Sequence, residues 1–291
     1  IVLEPDRTWL PQLDHEFGSL LDVDPLADGR LAVLDGIDGR VIVLGSDGGV
    51  QTEFGRKGQG PGEFHPRGLT ELIVTDTSIL IPDLMQQRIS EFSHAGELIA
   101  SVPFPGDGRG TYAVDWRAHP GGGVVFRVLR PEGDVLLHLV GDRLDTLHVF
   151  AAPTHSPQTV LPPVPIWDVN DGTLVTGLST RWEITARRPD GGVEWIARRP
   201  GGMQPLTDED REHIGELLIA SATRERAGQP TPEQREALLA QLEVPANAPQ
   251  IAEVRLAPNG DIWIRRASRI SEMGVEAMRV GSAEGYGGAI W

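Results

Sequence analysis

Hydrophobic residues along this chain come in short runs broken by glycine-rich turns, the pattern of many strands rather than a few helices. Phe17–Pro25, Leu31–Leu34, Val41–Leu44 and Val50–Phe54 are such runs, separated by Asp28-Gly29, Gly36–Gly39 and Asp47–Gly49. Four short strands joined by tight turns make one antiparallel sheet. The unit then recurs. Asp35, Arg40 and Gly48 return at a spacing of 48 residues as Asp83, Arg88 and Gly96, each set embedded in the same order of apolar runs. A fixed period of this size marks consecutive blades of a β-propeller and predicts an all-β fold.

The second blade is expected over Gly68–Thr75, Ser78–Ile81, Arg88–Phe92 and Leu98–Phe104. A third follows at Tyr112–Ala118, Gly123–Leu129, Val135–Val140 and Thr146–Phe150, and a fourth at Ile166–Asn170, Thr173–Gly177, Trp182–Arg187 and Val193–Arg198. A fifth opens with Ile251–Ala257, turns at Asn259-Gly260 and continues through Asp261–Arg265. Between the fourth and fifth the pattern changes to helical spacing. Thr207 and Asp210 form a capping pattern before Ile214, Leu217 and Leu218, while Thr231, Pro232 and Gln234 cap a second run through Leu238, Leu239 and Leu242 that Pro245 stops. Residues 203–247 therefore read as a helical hairpin inserted into a single propeller domain spanning 1–291. Two short helices make a poor independent core, which argues against a separate helical domain. The fifth blade is incomplete: a long connection follows Arg266, and Ala289–Trp291 starts where a third strand belongs. Ile1–Leu13 lacks a partner hairpin, so the chain reads as about five blades of a six-bladed ring, truncated at its C-terminal end.

Composition narrows the function classes. The chain has 291 residues, 26 basic against 42 acidic, for a net charge of −16. Such a surface repels a nucleic-acid backbone. With no cysteine, the fold uses no disulfide. No apolar run reaches the length of a membrane span. The chain starts at Ile1 without a signal-peptide pattern, as expected of a fragment or of a chain whose leader has been removed.

Phe54-Gly-Arg-Lys-Gly-Gln-Gly-Pro-Gly-Glu-Phe64, followed by Pro66 and Gly68-Leu69, resembles the inter-blade linker of NHL-type propellers. It resembles more closely the turn after the first blade of bacterial six-bladed β-propeller proteins, within the NHL-repeat-like and TolB-like superfamily. The likeness covers roughly the first hundred residues well and the later blades by pattern only. It implies an exported protein, periplasmic or extracellular and in some cases lipid-anchored.

In an up-and-down blade the turns between the second and third strands and the links between blades share one face. That face would gather Asp35–Arg40, Arg56–Phe64, Asp83–Arg88, Arg181, the helical insertion and the Arg266–Gly288 connection. Arg40, Arg56, Lys57, Arg88, Arg181, Arg265, Arg266 and Arg269 collect there on an otherwise acidic chain, with Trp182 and Trp263 beside some of them. Guanidinium forks with indole faces suit a small anionic or saccharide ligand, so Arg181, Trp182, Trp263, Arg265 and Arg266 are the candidate ligand-binding residues. Arg40 and Arg88 read instead as structural pairs with Asp35 and Asp83, tying each turn together.

Other candidates are weaker. The eight histidines show no close pair at metal-ligand spacing. Asp22 and Asp24 lack the rest of a calcium loop, and Gly58–Gly62 reads as a tight turn rather than a phosphate loop. No Gly-x-Ser-x-Gly elbow occurs. Trp116, Trp167 and Trp195 read as packing residues. The leading expectation is a non-catalytic module binding a ligand or protein partner at the decorated mouth, with no cofactor. One alternative is a metal-dependent hydrolase or lactonase, with Asp35, Asp83 and Asn170 the only plausible donors to a divalent ion such as Ca2+. Another is a structural scaffold in an envelope assembly.

Overall fold

The structure, a computed structural model, describes residues 16–103, 112–130, 133–141, 143–150, 161, 163–170, 172–199, 204–224, 231–240, 244, 246–257 and 261–267. Strands β1 (Leu20–Pro25), β2 (Leu31–Asp35), β3 (Arg40–Leu44) and β4 (Val50–Phe54) pair in that order as one antiparallel sheet. The order repeats in β5 (Ile73–Val74), β6 (Ser78–Asp83), β7 (Arg88–Ser93) and β8 (Leu98–Pro103). It repeats again in β9 (Tyr112–Ala118), β10 (Val124–Leu129), β11 (Val135–Val140) and β12 (Arg143–Val149), and in β13 (Pro165–Asn170), β14 (Thr173–Leu178), β15 (Glu183–Arg187) and β16 (Val193–Arg198). Helices α1 (Asp208–Arg224) and α2 (Pro232–Ala240) precede a two-stranded sheet of β17 (Ile251–Leu256) and β18 (Ile262–Arg266). Four-stranded meanders of this kind are blades, and the fold is an all-β propeller with an inserted helical hairpin. By contact density the described chain falls into two compact units: residues up to Phe126 with His138–Asp145, and Arg127–Leu137 with residues from Thr146 onward.

Burial follows strand position. The middle strands β2 and β3 are buried on both faces. Ala32, Leu34, Val41 and Val43 pack on Phe64 of the link between blades and on Ile79, Ile81 and Phe92 of the next blade, while Val33, Ile42 and Leu44 form a smaller cluster on the other side. The fourth strands are the outermost and mostly exposed, β16 along its whole length. A meander stacked face to face on its neighbour produces this gradient from apolar interior to wet rim.

The recurring glycines have a local cause. Gly48 and Gly96 hold φ of +82° and +87° and donate to the carbonyls of Gly45 and Ser93, closing the β3–β4 and β7–β8 hairpins beside a register shift. Residues with side chains rarely adopt this conformation, so the turn selects glycine. Two first strands are shorter than their patterns predict: β1 starts at Leu20 rather than Phe17, and β5 is shorter still. The run Gly68–Thr75 forms a ladder only at Ile73–Val74, with an isolated bridge from Leu69 to Asp83. The Leu72 amide just before it bonds the Asp22 carboxylate of β1 at 2.9 Å, tying this segment to the first sheet.

The helices start where their caps predict. The Asp210 amide donates to Thr207 Oγ1 and the Thr207 amide to the Asp210 carboxylate; Thr231 and Gln234 repeat the exchange at α2. Glu216 of α1 and Arg235 of α2 form an ion pair between the helices. At the base, Leu206 donates to Ala246 and Ala248 to Gln204, so the insertion leaves and rejoins the chain at one point. The expected third strand starting at 289–291, residues 268–288 of the connection with Arg269, the segment Ile1–Leu13, Leu242, Pro245 and the Asn259-Gly260 turn lie outside the described residues.

Candidate functional site

The two aspartate turns are structural in their bonding. Asp35 is fully buried at the end of β2 and accepts the amides of Gly18 and Ser19, each at 3.0 Å, and the Arg40 guanidinium at 3.4 Å. Burial pushes its carboxyl up, but these amides, that of Asp38 and Arg40 outweigh it and hold the group below the usual range. Asp83 is equally buried and accepts the amides of His65, Met85 and Gln86 and the Gln86 side chain. Gly68 lies against it so closely that an added Cβ would come within 2.1 Å of Asp83 Oδ1.

The arginines of the two turns differ. Arg40 reaches Asp35, Asp38 and Glu53. Arg88 stands opposite Asp83 in the ladder, but its guanidinium bonds the carbonyls of Gly60 and Glu63. The pairing expected of Arg88 with Asp83 is thus replaced by a clamp on the Gly-Pro-Gly-Glu-Phe turn. Glu63 completes the clamp, taking Arg56 on one oxygen and the amides of Gln59 and Gly60 on the other.

The remaining arginine and tryptophan candidates belong to the second unit. Trp182 packs on the cluster of Ile166, Val175, Ile184 and Ile251, beside Ile262 and Ile264, with Arg199 over its ring at 5.5 Å. Strand alternation turns Trp263 and Arg265 to the opposite face of β18 from Ile262 and Ile264. The two indoles therefore face different ways. Trp263 is 57% exposed, and Arg265 bonds Glu253 at 3.0 Å, a carboxylate that also holds Arg255. Arg181 and Arg266 are exposed. Asn170 donates to the Ala257 carbonyl, binding β13 to the end of β17. Among the described residues no group of three or more His, Asp or Glu side chains is placed to hold a metal ion.

Two features were missed by sequence reasoning. The first is an acidic run on the first strands of the blades. Besides Leu72 on Asp22, the amide of Val74 bonds Asp24, and in the second unit that of Leu256 bonds Asp168 at 2.7 Å. Glu71 accepts the Trp116 amide in the same manner. Although part of Glu71 reaches solvent, burial pushes its carboxyl up to about 8; Arg117 opposes this, and the charges of Asp115 and Asp22 add to it. An acidic residue at the start of successive blades, Asp22, Glu71, Asp115 and Asp168, was the available signal.

The second is a cavity of about 530 Å³ between the second and third sheets, within the first unit. It opens where the β5–β6, β9–β10 and β11–β12 turns emerge, the face opposite the Asp35 and Asp83 turns. Leu80, Ile89 and Val102 wall it on one side and Ala118, Val124 and Leu139 on the other. Thr75, Ser78 and His119 stand at its rim. The rim is rigid: Thr75 Oγ1 takes the Ser78 amide at 2.9 Å, and His94 Nε2 bonds the Thr75 carbonyl. His119 Nδ1 accepts the Gly121 amide at 3.0 Å, so the neutral ring carries its proton on Nε2. Its ring lies 4.1 Å from that of His138, whose Nε2 donates to the Gly122 carbonyl. Burial, and then the neighbouring His138, lower the pKa of His119, leaving it uncharged at neutral pH. No residue pattern announces this cavity, because it arises from the spacing of two sheets rather than from any one segment.

No protein-family model matches the chain, and no curated protein matches it in sequence. Solved structures are similar in fold. An inferred exported protein of Bacteroides fragilis superposes with a TM-score of 0.50 at 13% identity, over 93% of this chain and 72% of the other. Virginiamycin B lyase of Staphylococcus aureus gives 0.44 at 12%, over 65% of this chain and 58% of the other, so the match spans little more than half of that protein. Glutaminyl cyclase of Myxococcus xanthus gives 0.38 at 10%, over 85% of each chain. Identities this low speak to the fold alone. No described helix is long and apolar enough to cross a membrane.

Proposed function

We propose that this chain is a ligand-binding module built on a six-bladed β-propeller, and that its ligand occupies the cleft between the second and third blades. The observation that carries the reading is the cavity itself. About 530 Å³, with apolar walls and a hydrogen-bonded polar rim, matches the size and lining of small-molecule sites. The arginine candidates offer less: Asp35, Asp83, Arg40 and Arg88 are engaged in their own turns, and Arg265 is paired. Resemblance of the Gly-Pro-Gly-Glu-Phe turn to those of exported bacterial propellers supports a place in the cell envelope, periplasmic or extracellular.

A small-molecule fragment library followed by amide chemical shifts tests the site. Shifts clustered at Thr75–Ser78 and His119–Gly123 are the expected result. Shifts confined to Arg181, Trp182, Trp263 and Arg266 would move the site to those residues and end this reading.

A further inference from the structure

We propose that the cleft selects an organic cation: an ammonium or amine group carried on an apolar body. The inference rests on the cleft being the ligand site and adds the chemistry of what enters it. Two carboxylates line the cavity, Glu91 and Asp76, and no lysine or arginine does. Glu91 lies on β7, where alternation with Ile89 and cross-strand pairing to Leu80 and Ala100 place it in the apolar wall. It is half-buried there and makes no hydrogen bond or ion pair among the described residues. Elsewhere in the same unit Asp35, Asp83 and Glu63 are each held by several donors.

A carboxylate partly removed from water and left without a partner is unfavourable, and a cation entering beside it removes that cost. The opposite wall adds no competing charge, since His119 is neutral with its Nδ1 already accepting an amide. Leu80, Val102, Val124 and Leu139 then supply contact for the apolar body. The acidic balance of the whole chain, −16, raises the local concentration of cations and repels anions.

Benzyltrimethylammonium, benzyl alcohol and phenylacetate, which share a ring and differ in charge, make the test on the whole chain by calorimetry and amide shifts. The cation is expected to bind with shifts at Thr75–Ser78 and His119–Gly123, and phenylacetate not to bind. Glu91→Gln, matched to wild type by its melting temperature, should weaken the cation about tenfold, as loss of a charged partner does. Should that variant not fold, Asp76→Asn and the weakening of wild-type binding by salt carry the same decision. Equal occupancy of the cleft by all three probes would overturn the charge selection and leave the cleft as the site. Shifts elsewhere, or none with any probe, would overturn both.

Discussion

At the scale of single residues, two titratable groups tie stability to pH in opposite directions. The Glu71 carboxyl is raised from an ordinary 4.5 to about 8, so the folded chain binds a proton that the unfolded chain has released. Its contribution is complete below pH 4.5 and disappears as the pH rises through 8. Glu71→Gln keeps an acceptor for the Trp116 amide and removes the buried charge. It should raise stability at pH 9 by a few kcal/mol, on the order its shift allows, and change little at pH 4.5; urea unfolding at both values measures this. His148 works the other way. Burial, followed by the Arg187 guanidinium, lowers it to about 4, so its contribution is present above pH 6.5 and lost as the pH falls through 4. His148→Phe retains a ring against Phe150, now 4.7 Å away edge-on, and should blunt the loss of melting temperature between pH 6.5 and 4. A variant as acid-labile as wild type would remove His148 from that account.

At the scale of elements, the devices that fix one blade to the next are carboxylates taking the amide of a neighbouring first strand. Asp168 does this for Leu256 across 88 residues of sequence. Asp168→Ala leaves the part-buried Leu256 amide without this acceptor and should cost about 1 kcal/mol. The loss should be local: hydrogen exchange at Leu256 and along β17 accelerates, while β1–β4 keeps its protection. Uniform acceleration throughout the chain would show that the bond is not a local fastener. The same elements show what the sequence made legible. Strands, hairpin glycines and both helix caps depend on neighbours within four residues, and they could be read directly. Asp35 and Asp83 were legible as a repeated pair with their arginines, yet Arg88 bonds a turn some 25 residues earlier, a distance that local pattern does not encode. The tie between the first sheet and the segment before β5 escaped for the same reason, because the Leu72 amide is taken by Asp22, 50 residues away.

At the scale of the whole molecule, fold class was legible because a repeated blade multiplies a weak local signal. The site was not. Arg181, Trp182, Trp263 and Arg265 were joined by counting loops to one side, whereas pairing, packing and strand facing decide what a side chain can offer. Trp182 went into a core and Arg265 to Glu253. The cleft, in turn, is made of unremarkable leucines, valines and alanines whose meaning lies in the gap between two sheets. The fasteners also bear on how the chain tolerates growth. Asp22 reaches Leu72 across 50 residues, and Asp168 reaches Leu256 across 88 because α1 and α2 intervene. Loop-closure entropy grows only with the logarithm of length, so the longer connection costs about 0.5 kcal/mol more than the shorter one. With its ends already hydrogen-bonded together at Gln204–Leu206 and Ala246–Ala248, the hairpin hardly burdens the closure it interrupts. Links between blades are therefore permissive sites, where a propeller can acquire new segments without refounding its core.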